Sequence, residues 1–267
     1  APTDGSSPAV QLVVDSPEYP DKWTITQDGA SVILGIGDVF RIPSGGGAYV
    51  TLADPPGLVT WSALTPDQST VLFAYENGPL SVALARVPLD GSQPYSDIPG
   101  PIGGALYRLS TPLFNPGGSH LVFSGWQGIY SLSTDWTSPV VTLAAMQRDS
   151  EEPLPLLRLL PGGTDVVFSA SVIHDCNSGW RRKELYRRPI DGSGPLVRLD
   201  GPTGEGVTTF VLADDGTRAV YLDAKNPANP TPLACYGVPV DGSGRPRLYH
   251  APQGATPTLG DVTDTWI

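Results

Sequence analysis

Cysteine, methionine, histidine and positive charge are all scarce in this chain. Its 267 residues hold two Cys, one Met and three His, and 16 Lys and Arg stand against 27 Asp and Glu, a formal net charge of -11. Each scarcity excludes something. An acidic chain without a basic stripe is unsuited to nucleic acid or to an anionic membrane surface, since both need positive charge. No apolar run approaches the twenty or so residues that cross a bilayer as a helix, so no membrane insertion is expected. Chemistry-bearing motifs are missing too: there is no Cys-x-x-Cys, no His-Glu-x-x-His, no Gly-x-Ser-x-Gly nucleophile turn and no phosphate-cradling loop. His120, His174 and His250 lie far apart in sequence, and only His174 has an acidic neighbour, Asp175. Two adjacent residues supply at most two ligands where zinc wants three or four, so no metal, no cofactor and no catalytic residue is assigned. Helical periodicity is absent as well. The one candidate, Ala144 to Arg148, is too short to form a stable helix.

Glycine and proline are abundant instead, 31 and 29 residues, in a chain that is still 40% hydrophobic. That combination supplies turns without the apolar poverty of a disordered segment, and points to an all-β fold. The turns recur. Gln27-Asp28-Gly29, Pro66-Asp67-Gln68, Pro116-Gly117-Gly118, Pro161-Gly162-Gly163 and Asp214-Asp215-Gly216 are each followed by a β-branched or aromatic run: Ser31 to Leu34, Thr70 to Phe73, His120 to Phe123, Asp165 to Phe168 and Arg218 to Tyr221. A third column follows, Val39 to Pro43, Leu84 to Pro88, Ile129 to Ser133, Leu185 to Pro189 and Cys235 to Pro239. Four of its five members stop at proline, which cannot donate to a ladder and so ends the strand. Then come Asp90-Gly91-Ser92, Asp191-Gly192-Ser193 and Asp241-Gly242-Ser243, with Ser44-Gly45-Gly46-Gly47 in the same place in the first repeat. Asp-Gly between apolar runs is a hairpin signal, which assigns the glycine-rich stretch to a turn and not to an anion site. A short outer strand such as Tyr49 to Leu52, Val140 to Leu143 or Leu196 to Leu199 closes the unit.

Four strands in roughly 40 to 50 residues is the period of a propeller blade. The predicted fold is an all-β propeller of five complete four-stranded blades, about 23-52, 59-98, 107-143, 154-199 and 207-250, in a single domain spanning 1-267. A split or incomplete sixth blade is expected from the ends. Residues 1-14 align with the turn and outer strand of Pro189 to Asp200, and 259-267 with the inner strand at Asp21 to Thr24. An unpaired blade of that kind would invite self-association through its open edges.

Thr65-Pro66-Asp67, Asn115-Pro116-Gly117-Gly118 and Pro189-Ile190-Asp191-Gly192-Ser193 resemble the repeats of the TolB-like, WD40-related propeller family. The resemblance runs along nearly the whole chain. It implies a propeller fold and an exported, periplasmic or cell-surface location. It leaves function open, because one fold hosts many activities.

The sequence signal for a binding site is loop length between second and third strands. Two residues, Gln127-Gly128, serve in the third repeat, whereas Ser171 to Lys183 and Asp223 to Pro232 fill that place in the fourth and fifth. Loops on a rigid scaffold are where recognition concentrates. These two carry His174, Asp175, Trp180, Arg181, Arg182, Lys183, Lys225, Asn226 and Asn229, read as candidate partner-binding residues. Five basic residues fall between Arg181 and Arg188, either a local positive patch or the solvated strand edge of an acidic protein. Cys176 in the fourth repeat and Cys235 in the fifth are a candidate disulfide; free thiols are the alternative. The function expected is a non-catalytic binding scaffold for a protein or glycan partner. Two alternatives stay open: the propeller portion of a larger prolyl oligopeptidase-type peptidase, and a propeller lyase.

Overall fold

A computed structural model describes residues 23–78, 81–99, 110, 112–125, 128–146, 155–175, 180–201, 206–223 and 234–249, without the side chains of 173–175, 180 and 181. The segments 1–14 and 259–267, expected to form the split sixth blade, lie outside them. All regular structure among the described residues is β, in five four-stranded antiparallel sheets whose strands pair in chain order. The chain divides into two compact units, Ala1–Pro112 and Leu113–Ile267.

The first unit contains two sheets. One is β1 (Trp23–Ile25), β2 (Ser31–Ile36), β3 (Asp38–Pro43) and β4 (Val50–Ala53); the other is β5 (Val59–Leu64), β6 (Thr70–Gly78), β7 (Ser81–Pro88) and β8 (Ser96–Asp97). The second unit contains three. They are β9 (Leu113–Phe114) to β12 (Val141–Ala145) through β10 (His120–Ser124) and β11 (Gly128–Ser133); then β13 (Leu157–Leu159), β14 (Asp165–Asp175), β15 (Trp180–Pro189) and β16 (Val197–Arg198); then β17 (Val207–Leu212), β18 (Arg218–Asp223), β19 (Ala234–Pro239) and β20 (Arg247–Tyr249).

Within each unit the core is the space between successive sheets. In the first, Ile33, Val39 and Leu52 pack with Val59, Phe73 and Val87. In the second, Val122, Ile129 and Leu143 pack with Val166 and Phe168, and Val167, Leu185 and Leu199 with Phe210, Tyr221 and Val238. Side chains alternate across a strand, so Phe168 meets the third sheet and its neighbour Val167 the fifth. A strand buried on both faces needs a continuous apolar run, which is why the second-strand column reads Thr-Val-Leu-Phe or Asp-Val-Val-Phe without a polar alternation.

The turns follow their chemistry. Gly91, Gly192 and Gly242 sit at φ 71, 72 and 75, a region open to glycine at no steric cost. Asp90, Asp191 and Asp241 each accept the backbone N–H two residues on at 2.9 Å. The third sheet uses Asp135-Trp136 in that place, with Trp136 at φ 58, a turn the Asp-Gly pattern does not reveal. Arginines join neighbouring sheets. Arg41 Nη1 donates to Leu89 O at 2.9 Å in the first unit, and Arg187, in the repeat-equivalent position, to Val240 O at 3.5 Å in the second.

Candidate functional site

The stretch from Ser171 to Lys183 is mostly ladder, and this corrects the expected loop. Strands β14 and β15 continue to pair through Ser171↔Lys183, Val172↔Arg182 and Ile173↔Arg181 to Asp175↔Trp180. Their neighbours stop early: β13 pairs only with Val166 to Phe168, and β16 only with Tyr186 and Arg187. From Ala170 and Glu184 outward the two strands therefore pair only with each other, a two-stranded ribbon that overhangs its own sheet. Backbone pairing is indifferent to side-chain polarity, so a charged run such as Trp180-Arg181-Arg182-Lys183-Glu184 can complete a ladder once a partner strand is held beside it.

His174 and Asp175 fall at the outer end of β14, and Trp180 and Arg181 open β15 opposite them. The structure thus brings these four to the ribbon tip. Lys183 is half-buried lower down, facing Ser171 in the register. Lys225, Asn226, Asn229 and Cys176 lie outside the described residues. Cys235 is a thiol buried in β19, where burial pushes its pKa up.

Arg182, expected at a partner contact, is instead buried, 5% exposed. Its Nη2 donates to Asp200 Oδ2 at 2.6 Å and to Gly201 O at 2.7 Å. The physical reason is that the two-residue period puts Arg182 on the face covered by the segment following β16. Arg187 and Arg188 of the patch are engaged as well. Arg187 Nε donates to Asp165 Oδ1 at 3.0 Å, and Arg188 donates to the carbonyls of Thr142, Leu143 and Gly192. For Arg182, Arg187 and Arg188 the guanidinium groups thus bond to protein oxygens rather than standing free as a positive patch.

A charged network holds the ribbon base. Asp200 accepts four hydrogen bonds: Arg182 Nη2 on Oδ2, Leu185 N at 3.1 Å and Arg198 Nε at 3.0 Å on Oδ1, and Arg198 Nη2 at 3.1 Å on Oδ2. Arg198 Nη1 reaches Glu184 Oε1 at 2.7 Å, and the Tyr186 hydroxyl donates to Glu184 Oε2. Burial and the Glu184 bond push the Tyr186 phenol pKa up. Burial pulls the Arg198 guanidinium down, but the bonds and charges of Asp200 and Glu184 outweigh it and the pKa rises. Burial, together with Asp200 and Asp223, also raises Tyr221. Glu184, Arg198, Asp200, Tyr221 and Asp223 were not legible as a cluster, because they come from three strands and a loop of two sheets. Beside the network opens a cavity of about 460 Å³ lined by Arg198, Asp200, Tyr221, Asp223, Tyr236 and Arg245.

Among solved structures the chain is similar to the tricorn protease, a β-propeller fold, at 10% identity and a TM-score of 0.58, over 85% of this chain and 23% of that one. The fold is a β-propeller. Hydrazine synthase from Kuenenia stuttgartiensis matches at 12% identity and a TM-score of 0.51, covering 91% of this chain and 69% of that one. TolB from Acinetobacter baumannii matches at 15% and 0.44, over 82% and 52%. No protein-family model and no curated protein matches the sequence. The propeller spans 23% of the tricorn protease chain, and identities this low carry architecture alone. In propeller terms the ribbon is an overgrown hairpin of the fourth blade, and the cavity lies where the fourth blade meets the fifth.

Proposed function

We propose that this propeller is a non-catalytic binding scaffold, exported to the periplasm or cell surface, that engages a protein or glycan partner through the fourth-blade ribbon. One observation carries the proposal: β14 and β15 run to 11 and 10 residues, where the equivalent pair in the third blade has 5 and 6. The extra length adds nothing to the sheet beneath it, since no third strand pairs with it among the described residues. His174, Asp175, Trp180 and Arg181 lie at its end, beyond the residues that pair with β13 or β16, above a base that contains the buried Arg182–Asp200 pair. A tip carrying Trp and Arg has the residue types that dominate interface energetics, and a fixed base lowers the entropy lost on binding.

The test replaces residues 174–180 by Asn-Gly, which retains the Ile173↔Arg181 pair and the buried arginine. Wild type and variant, each immobilised, are exposed to a cross-linked envelope extract and to a glycan array. The expected result is one protein or glycan retained by wild type and lost by the variant, with the melting temperature lowered by no more than about 4 °C, as for a peripheral change. Equal retention by both, or no retention by wild type, overturns the proposal.

A further inference from the structure

The cavity between the fourth and fifth blades is lined by charges of both signs. Its ionised lining is Arg198 and Arg245 against Asp200 and Asp223, which sums to zero on a protein of net charge -11. An anionic ligand meets the two carboxylates and the acidic field of the whole molecule; a cationic one meets the two guanidinium groups. A neutral ligand rich in hydroxyls meets neither penalty, and its oxygens accept from guanidinium N–H groups.

The wall is aromatic. Tyr221 and Tyr236 stack with ring centroids 5.4 Å apart at 19°, and Tyr236 is only half-buried against the cavity. A phenol face carries negative quadrupole density that suits the polarised C–H groups of a pyranose ring. The polar groups divide into fixed and mobile ones. Arg198 is oriented by its bonds to Asp200, Glu184 and Gly201 O, so its geometry exists before a ligand arrives. Arg245, at the mouth, is exposed and makes no hydrogen bond or ion pair among the described residues, so its five N–H groups are at a ligand's disposal. The volume of about 460 Å³ lies within the span of small-molecule sites, roughly 300–1,000 Å³.

We infer that this cavity binds a neutral saccharide ring, stacked on Tyr236 and hydrogen-bonded by Arg198 and Arg245. The site is distinct from the ribbon tip, so the Asn-Gly ribbon variant retains it even where partner binding is lost.

The experiment is saturation-transfer NMR with titration calorimetry on the whole chain. The probes are glucose, galactose, mannose and N-acetylglucosamine, with glucuronate and glucosamine as charged counterparts. Saturation should pass to the ring C–H protons of at least one neutral sugar. Arg245→Ala, a change at an exposed side chain that does not threaten folding, should weaken that sugar by about tenfold, the worth of one charged hydrogen bond. Tyr236→Leu should remove the ring-proton transfer. The inference is overturned by absence of transfer from every neutral sugar, by tighter binding of glucuronate or glucosamine than of the neutral parents, or by unchanged affinity in Arg245→Ala.

Discussion

Replacing Asp200 by alanine should be among the most damaging single changes available in the second unit. The carboxylate, 1% exposed at its side chain, neutralises Arg182, whose side chain is 6% exposed. After the change Arg182 loses this counter-charge and keeps the bond to the Gly201 carbonyl, and its charge stays buried. Removing one partner of a buried ion pair costs about 3–5 kcal/mol. Two further losses are smaller. The Leu185 amide gives up its bond to Oδ1, worth about 1 kcal/mol. Arg198, a third exposed, turns toward water and keeps Glu184, so it contributes at most about 1 kcal/mol. These terms share one network and do not add fully. A net loss of about 4 kcal/mol corresponds to roughly 8–16 °C in melting temperature for a unit of this size. Calorimetry and urea titration measure it, and hydrogen exchange should show the amides of Lys183 to Leu185 losing protection with it. Arg182→Met added to Asp200→Ala removes the buried charge and should restore about 2–3 kcal/mol. A loss below 1 kcal/mol for Asp200→Ala, or a double variant as unstable as the sum of the singles, would refute the reasoning that Asp200 compensates the buried charge of Arg182.

Three other outcomes are expected. A Cβ on Gly57 would lie 1.8 Å from the Glu76 carbonyl oxygen, a backbone atom, so Gly57→Ala should cost at least about 1–3 kcal/mol by denaturant titration, whereas Gly45→Ala, with open space around it, should stay within about 0.5 kcal/mol. Asp28, Asp67, Asp90, Asp191, Asp215 and Asp241 are all held below the usual carboxylate range by hydrogen bonds within their turns, and Asp135 is pulled to about 2 by the N–H groups of Thr137 and Ser138. Depressed folded-state values stabilise the native state above the unfolded pKa and lose that effect as protons return. The melting temperature should therefore fall steadily from about pH 4 to about pH 2, and a flat or rising profile across that window would contradict it. For the candidate disulfide, Cys235 is a free thiol buried in β19: alkylation followed by mass spectrometry should label it in unfolded, unreduced protein and spare it in native protein, and the absence of any alkylatable thiol after unfolding would establish the bridge to Cys176 instead.

Much of the architecture was readable because its causes are local. Asp-Gly turns, strand-ending prolines and unbroken apolar second strands act over a few residues, and each lands where it was expected in all five sheets or has a visible substitute, as Trp136 has for glycine. The ribbon was misjudged for the opposite reason. Residues 180 to 184 show no apolar alternation, and what makes them a strand is hydrogen bonding to β14, which a side-chain pattern does not encode.

The sequence alone determined the all-β class, the repeat length and the place of every strand column, since turn chemistry and two-sided burial are written residue by residue. Only the tertiary structure decided what the charged residues do. Arg182, Glu184, Arg198 and Asp200 look like ordinary surface residues until the segment after β16 folds over β15, and Tyr221 and Asp223 of the next blade close around them. Burying a charge is unfavourable unless its counter-charge arrives at the same time, and that partner is chosen by the packing of one sheet on another, not by any neighbour in the chain.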